Sequence, residues 1–348
     1  MSEGPEVDGV TSGGSRIYGV DAARGIAIVA MFMAHALPHD DVVSQVLHFG
    51  VDQARAQAMF AVLDGLALGL LTGGGSVAAL ARRTSQRRGI LIRGVFLIAL
   101  GLTLSTLGSR VAVILDYYGI YFLLVLPMLY LSVRWLLIAA AAFTALGPFV
   151  SEFMRQAPQE LIDENSPIML VTKWLFTGTY PACMWLGFVL AGLAVARLDI
   201  TSRRTQALLA VVGLGVMVGG YSGHLVARDL AWSYDTALLH LGSTGLIVAA
   251  IAALVFLTTT GRFRRAVKGI LFPMAAMGAI PITVYTLHVI YLAVLTTIGL
   301  RPSWSMFVTL VLGSAIFASL WVLFVGKGPL ERVVRWMMGT PATPVRWV

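Results

Sequence analysis

Apolar residues run along this chain in blocks of about twenty, long enough to cross the hydrocarbon core of a bilayer as helices, and polar residues gather between the blocks. Ten candidate spans fall at about 17–37, 56–73, 89–108, 111–131, 134–150, 174–196, 206–227, 238–258, 279–299 and 304–325. The stretch 262–278 starts basic, turns apolar and is too short to span, so it reads as an interfacial helix leading into the ninth span. The pattern predicts an all-α integral membrane protein: a bundle of about ten transmembrane helices over 17–335, between tails at 1–16 and 336–348. The first tail is polar and partly acidic (Glu3, Glu6, Asp8) and lacks the basic start of a signal peptide, so it reads as disordered.

Composition agrees with the pattern. Hydrophobic residues make up 58% of the 348 residues and charged residues 12%, far from the balance of a soluble domain. The net charge of +8 needs no nucleic acid, because Lys and Arg in excess decorate the cytoplasmic face of a membrane protein. Basic residues cluster in alternate connections. Arg82, Arg83, Arg87, Arg88, Arg203, Arg204, Arg262, Arg264, Arg265 and Lys268 lie on one side, while Arg55, Arg110, Arg155, Lys173, Arg228 and Arg301 lie on the other with most loop acids. That bias predicts both termini in the cytoplasm and an even number of spans. Cys183 is the only cysteine, so an intramolecular disulfide is impossible, and no metal-ligand spacing is present.

The first span carries the candidate chemistry. Asp21, Arg24 and His35 interrupt its apolar run. At about 100° per residue, the eleven steps from Arg24 to His35 return to nearly the same direction, with Asp21 about 60° away. Ionisable groups inside a span are costly and usually face a protein interior or a wet cavity. His35 lies about 16 Å beyond Arg24 along the axis, in the outer half of the bilayer, next to a loop holding His39, Asp40, Asp41 and His48. The opposite mouth, from Arg82 to Arg93, is strongly basic and suits a polyanionic donor.

Each group also has a bland reading. His35 either reacts or only bonds helix to helix. Arg24 binds a donor phosphate or pairs with Asp21 or Asp64. Arg82, Arg87 and Arg88 are donor contacts or simple positive-inside anchors. Asp64 and Asp116 are site groups or structural ion pairs. His240 and His288 are packing residues, although Tyr285 and His288 lie one turn apart on one face. Gly73-Gly-Gly-Ser lacks the Lys-Ser/Thr of a phosphate loop and reads as a flexible helix end.

The Arg-Gly-Ile-Ala start followed by His35 resembles the first span of type 3 acyltransferases, in which a histidine at this spacing is held to be catalytic. Over most of 17–335 the chain is similar to bacterial membrane proteins of the domain of unknown function 418 group, related to heparan-alpha-glucosaminide N-acetyltransferase. The segments that carry this are Gly-Val-Asp-Ala-Ala-Arg-Gly-Ile-Ala at 19–27, Met-Phe-Ala-Val-Leu-Asp-Gly at 59–65, Val-Ile-Leu-Asp-Tyr-Tyr-Gly at 113–119, Thr-Gly-Thr-Tyr-Pro at 177–181, Val-Tyr-Thr-Leu-His-Val at 284–289 and Gly-Lys-Gly-Pro-Leu-Glu at 326–331. The chain departs from the group at Asp64 and Asp116, where relatives are expected to be uncharged. The heparan enzyme's pattern also has an asparagine near the His35 position and a later histidine, a place for His39 or His48.

The resemblance implies a bacterial inner-membrane, multi-pass acyltransferase. It would move an acetyl or other acyl group from cytoplasmic acyl-CoA to a glycan, glycolipid or other envelope acceptor, with no permanently bound cofactor. His35 would be the general base, Asp64 its orienting acid and His39 the alternative base. Arg24, Arg82, Arg87 and Arg88 would meet the donor's phosphates, and Asp21, Asp116, Tyr117, Tyr118, Tyr285 and His288 would line the substrate path. A transporter or flippase shares the buried charge and glycine-rich helices, but the sequence shows no clear repeat and no paired broken helices. A non-catalytic envelope scaffold is the third reading. Acyl transfer by the purified protein separates the first reading from both.

Overall fold

The computed structural model describes residues 16–38, 41–51, 55–76, 80–157, 166–227 and 229–339, which are helical apart from their connections. In chain order the helices are α1 (Tyr18–Ala36), α2 (Val42–Val51), α3 (Arg55–Leu71), α4 (Leu80–Ser105), α5 (Leu115–Val125), α6 (Val133–Gln156), α7 (Pro167–Thr172), α8 (Ala182–Ala196), α9 (Arg203–Ala227), α10 (Trp232–Thr259), α11 (Arg264–Ile270), α12 (Phe272–Ala279), α13 (Pro281–Thr297), α14 (Trp304–Phe324) and α15 (Pro329–Met337). A single π-helical turn, Lys173–Thr177, follows α7.

Six of these helices are long and apolar enough to cross a membrane, and eight spans result if each of two bent pairs counts as one. The sequence pattern predicts ten. The difference lies in α3, which has 17 residues, and α5, which has 11 before the chain turns. The bent pairs are Pro167–Thr177 with α8, at 55°, and α12 with α13, at 90°. Pro181 and Pro281 stand at the two breaks, where each lacks the N–H a continuous helix requires and disfavours helical backbone in the residue before it. Broken helices, which the apolar pattern alone did not predict, are therefore present. The expected interfacial helix over 262–278 is also corrected. Its α11 half has no buried residue, but in α12 the residues from Ala275 to Ala279 are all buried against α1.

Burial orders the bundle. Two-thirds of the apolar window of α1 is buried, against 17% for α9 and α14. α1 and α8 are thus central, while α9 and α14 turn Val211, Val226, Ile316 and Phe324 outward as a lipid-facing surface requires. Close approach rests on glycine. A Cβ on Gly25 would strike the Met274 carbonyl, and one on Gly278 would strike the Asp21 carbonyl, so α1 and α12 cross backbone to backbone. Gly65 of α3 and Gly192 of α8 form the same reciprocal crossing.

The bundle has two ends. Ile17, Leu70, Gly74, Ala196 and Asp199 meet at one, here the Ile17 end. Arg197 closes it, donating to the carbonyls of Gly69, Gly74 and Leu129 and to the Thr72 hydroxyl. The other is the His35 end, where the Ser303 N–H donates to the Ala36 carbonyl at 2.9 Å.

Candidate active site

Asp21 and Arg24 enter α1 at the Ile17 end, three residues apart and hence on one face. The Asp21 carboxylate receives both prongs of Arg16, each at 2.7 Å, and Arg24 Nη1 at 3.1 Å. Arg24 also donates to the carbonyls of Gly278 (3.3 Å) and Leu63 (3.4 Å), while its buried Nε has no partner among the described residues. Arg24 thus pairs with Asp21, one of the acids its position offered.

Asp64 follows Leu63 and therefore sits level with Arg24 on the neighbouring helix. The charges acting on it are Arg24 and Arg93, and among the described residues it makes no ion pair within 4 Å. This corrects the orienting role expected of Asp64. Its level on α1 is eleven residues from His35, about 16 Å along the axis, so it does not orient that ring.

The basic stretch read as one mouth divides into two kinds of site. Arg82, Arg87 and Arg88 are exposed, and Arg87 lies 5.3 Å from the centre of the Tyr130 ring. Arg93 instead points into the bundle, 5.6 Å over Phe122, with its Nε buried and unpartnered among the described residues. Sequence reasoning counted Arg93 only as part of the mouth. Its place inside the apolar run 89–108 was the signal that sets it apart.

At the far end of α1 the structure gives His35 a partner 253 residues away. His35 Nδ1 lies 3.1 Å from His288 Nε2, with the rings stacked at 5.2 Å and 8°. His288 is fully buried, and its Nδ1 lies 3.3 Å from the Tyr285 carbonyl. Phe32 and Tyr285 pack against its ring at 5.1 and 5.5 Å. A carbonyl only accepts, so the proton in the Tyr285 bond sits on His288 Nδ1. Neutral His288 then accepts at Nε2, and His35 donates from Nδ1. This leaves His35 Nε2 with a lone pair, the atom a general base uses.

The neighbouring loop is largely committed. His48 Nε2 bonds the Pro38 carbonyl at 3.1 Å. Asp41 accepts from the Ser44 N–H at 2.8 Å and from the Trp304 indole at 2.9 Å, and these bonds hold its carboxyl below the usual range. His39, the alternative base, and Asp40 lie outside the described residues.

Tyr118, Tyr285 and Asp116 lie around one polar interior. The Tyr285 hydroxyl accepts the Ile114 N–H at 3.1 Å, and the Tyr118 hydroxyl donates to the Gln57 carbonyl at 2.9 Å. Asp116 Oδ2 accepts the Trp174 indole N–H at 2.7 Å, while its Oδ1 is buried without a partner among the described residues. Tyr117 stands edge-on to Tyr180 at 5.6 Å and reaches a cavity of about 610 Å³ at the His35 end. Arg155, Met169, Lys173 and Thr177–Thr179 complete its lining. Arg155 and Lys173 were read only as orientation markers. The π-helical turn places Lys173 here, and such turns recur at functional sites. His240 packs against Trp185 and Phe188, and among the described residues its buried Nδ1 has no hydrogen-bond partner.

A search of curated proteins finds no match. Residues 16–218 match the family model described as heparan-alpha-glucosaminide N-acetyltransferase, catalytic. The match takes in α1 through most of α9, and with them Arg24, His35, Asp64, Arg93 and Tyr117, and it covers more than half of the chain. This all-helical chain, with its ionisable first span, belongs to the catalytic family of heparan-alpha-glucosaminide N-acetyltransferase.

Proposed function

We propose that this protein is a membrane acyltransferase that moves an acetyl or other acyl group from cytoplasmic acyl-CoA to a glycan, glycolipid or other envelope acceptor. The observation that carries the reading is the chain from the Tyr285 carbonyl through His288 to His35, which leaves His35 Nε2 basic. The acceptor's hydroxyl or amine attacks the thioester carbonyl, and His35 Nε2 takes its proton. The C–S bond then breaks, and the leaving CoA thiolate takes that proton back from His35 Nε2, which restores the base. His288 holds the base and spreads the positive charge that forms on it.

The two reactants arrive from opposite ends. The donor's phosphates meet Arg82, Arg87 and Arg88 at the Ile17 end, with Arg24 and Arg93 deeper. The acceptor enters by the cavity at Tyr117, Arg155 and Lys173. Asp21 and Asp116 then serve as supports: Asp21 holds Arg24, and Asp116 holds Trp174. The setting is the plasma membrane of a bacterium, with ten crossings once α3 and α5 are counted and both termini in the cytoplasm. The broken span α12–α13 does not favour transport of an anion. The half-helix N-terminus that would receive one is filled by the Glu331 carboxylate.

Purified protein, labelled acetyl-CoA and a panel of amino sugars and glycolipids test the reading. His35→Ala is expected to cut turnover by about 10²–10⁴ with thermal stability near wild type. His48→Ala and His39→Ala are the controls. Full turnover in His35→Ala with loss in His39→Ala assigns the base to His39 instead.

A further inference from the structure

We propose that Glu331, on the surface helix α15, is a positioning residue for the His35–His288 pair, an inference that rests on the acyltransferase reading. The break at Ile280–Pro281 turns the chain by 90°, so α13 begins without a preceding turn to accept its first N–H groups. Glu331 supplies the acceptors. Its Oε1 takes the N–H of Ile282 at 2.8 Å and of Thr283 at 3.2 Å, and its Oε2 takes the Thr283 hydroxyl at 2.6 Å. The clasp is reciprocal, because the Thr283 hydroxyl oxygen accepts the Leu330 N–H of α15 at 3.3 Å. Two helix starts thus cap each other, and the negative carboxylate sits at the positive end of α13.

α13 carries the residues that hold the base. Tyr285 follows Thr283 by two positions and accepts the Ile114 N–H, and His288 comes one turn later against His35. The helix is therefore fixed at its start by Glu331, in its first turns by Tyr285 and at its working position by His288. Gly328 leaves no slack at the start, since a Cβ there would meet the Glu331 carboxylate. Releasing the start lets α13 shift along or about its axis. A displacement near 1 Å suffices to break a 3.1 Å bond between two rings and costs a reaction that depends on their alignment about 10²-fold. The family match ends at residue 218, so this clasp lies outside the matched region.

The test compares Glu331→Ala with Glu331→Gln in the full chain. The alanine variant is expected to lose at least ~10-fold in kcat; Glu331 lies near Arg16 and Arg93 at the donor end, so Glu331→Gln, which removes the same charge, separates any change in the KM for acetyl-CoA from the loss of the clasp. Glutamine keeps a carbonyl acceptor and is expected to retain most of the rate. A second measurement needs no turnover: the rate at which diethyl pyrocarbonate modifies His288, read by peptide mass spectrometry, with His240 as internal reference. The alanine variant is expected to raise modification of His288 several-fold and leave His240 unchanged. Unchanged His288 reactivity, or a parallel rise at both histidines, overturns the positioning role. Wild-type protein that transfers no acyl group counts against the acyltransferase reading alone, and the labelling still decides the clasp.

Discussion

Single residues here are held by partners far off in sequence, and that decides what could be read from the sequence. Asp21, Arg24 and His35 were legible because each breaks an apolar run on one helix face. The partner of His35 was not, because residues 35 and 288 meet only when α1 and α13 pack. Asp64 was assigned to the wrong neighbour for the same reason: adjacency of spans does not give the level at which two side chains meet. The buried Asp21–Arg24 pair carries a stability prediction. Their side chains are 4% and 7% exposed, so Asp21→Ala strands the Arg24 guanidinium and should cost about 3–5 kcal/mol, read as a lowered unfolding temperature in detergent. Unchanged stability would show that the carbonyls of Gly278 and Leu63 hold the Arg24 guanidinium without Asp21. Lys327, between α14 and α15, gives a pH prediction. Burial and the charges of Arg335 and Arg16 push its ammonium from 10.5 down to about 8. Between those two values the unfolded chain binds the proton and the folded one does not, so stability rises with pH through this window. Wild type should therefore gain stability relative to Lys327→Ala as pH goes from 7.5 to about 10, and a flat difference would show that Lys327 titrates normally.

At the scale of elements, the apolar pattern located most helices and missed where they break. Hydropathy averages over a window and does not register a 90° turn, whereas Pro181 and Pro281 mark both breaks in the sequence itself. The assignment of 262–278 to the interface failed because α12 is short yet buried, packed on α1 through two glycines rather than exposed at a surface. Without a hydrophobic force between helices in lipid, such close crossings supply the packing. Two substitutions of the same kind should therefore differ in sign. Gly278→Ala forces its methyl into the Asp21 carbonyl and should destabilise by about 1–3 kcal/mol. Gly215→Ala, in α9 with nothing within 4 Å, should be neutral or stabilising by about 0.5–1 kcal/mol, because alanine fixes a helix interior better than glycine. Thermal unfolding of the two variants in one detergent compares them directly, and equal losses would mean that the α1–α12 crossing is not tight.

For the whole molecule, the fold separates two chemistries by the length of a span. α6 runs from Val133 to Gln156, 24 residues and about 36 Å, enough to cross a bilayer. Its first end lies near Tyr130, which accepts the cation faces of Arg83 and Arg87, and its last end carries Arg155 at the cavity. Charge counting along the sequence is enough to say that the ends differ, because loop composition is local. It does not say which side chains share an end, since that needs the packing. The structure brings the basic groups of Arg82–Arg88 to the Ile17 end and the Tyr117 cavity to the His35 end, so a single orientation decides which of the two faces the cytoplasm. With Cys183 replaced by alanine, exposed Ser85 and Gln156 become reporters when changed one at a time to cysteine. A membrane-impermeant maleimide applied to intact cells is expected to label Gln156→Cys and to reach Ser85→Cys only after the membrane is opened. The positive-inside bias requires that outcome, because the Ser85 segment holds four arginines within seven residues, 82–88. Labelling of Ser85→Cys from outside would invert the molecule, place the basic mouth away from cytosolic acyl-CoA and remove the donor route on which the proposed reaction depends.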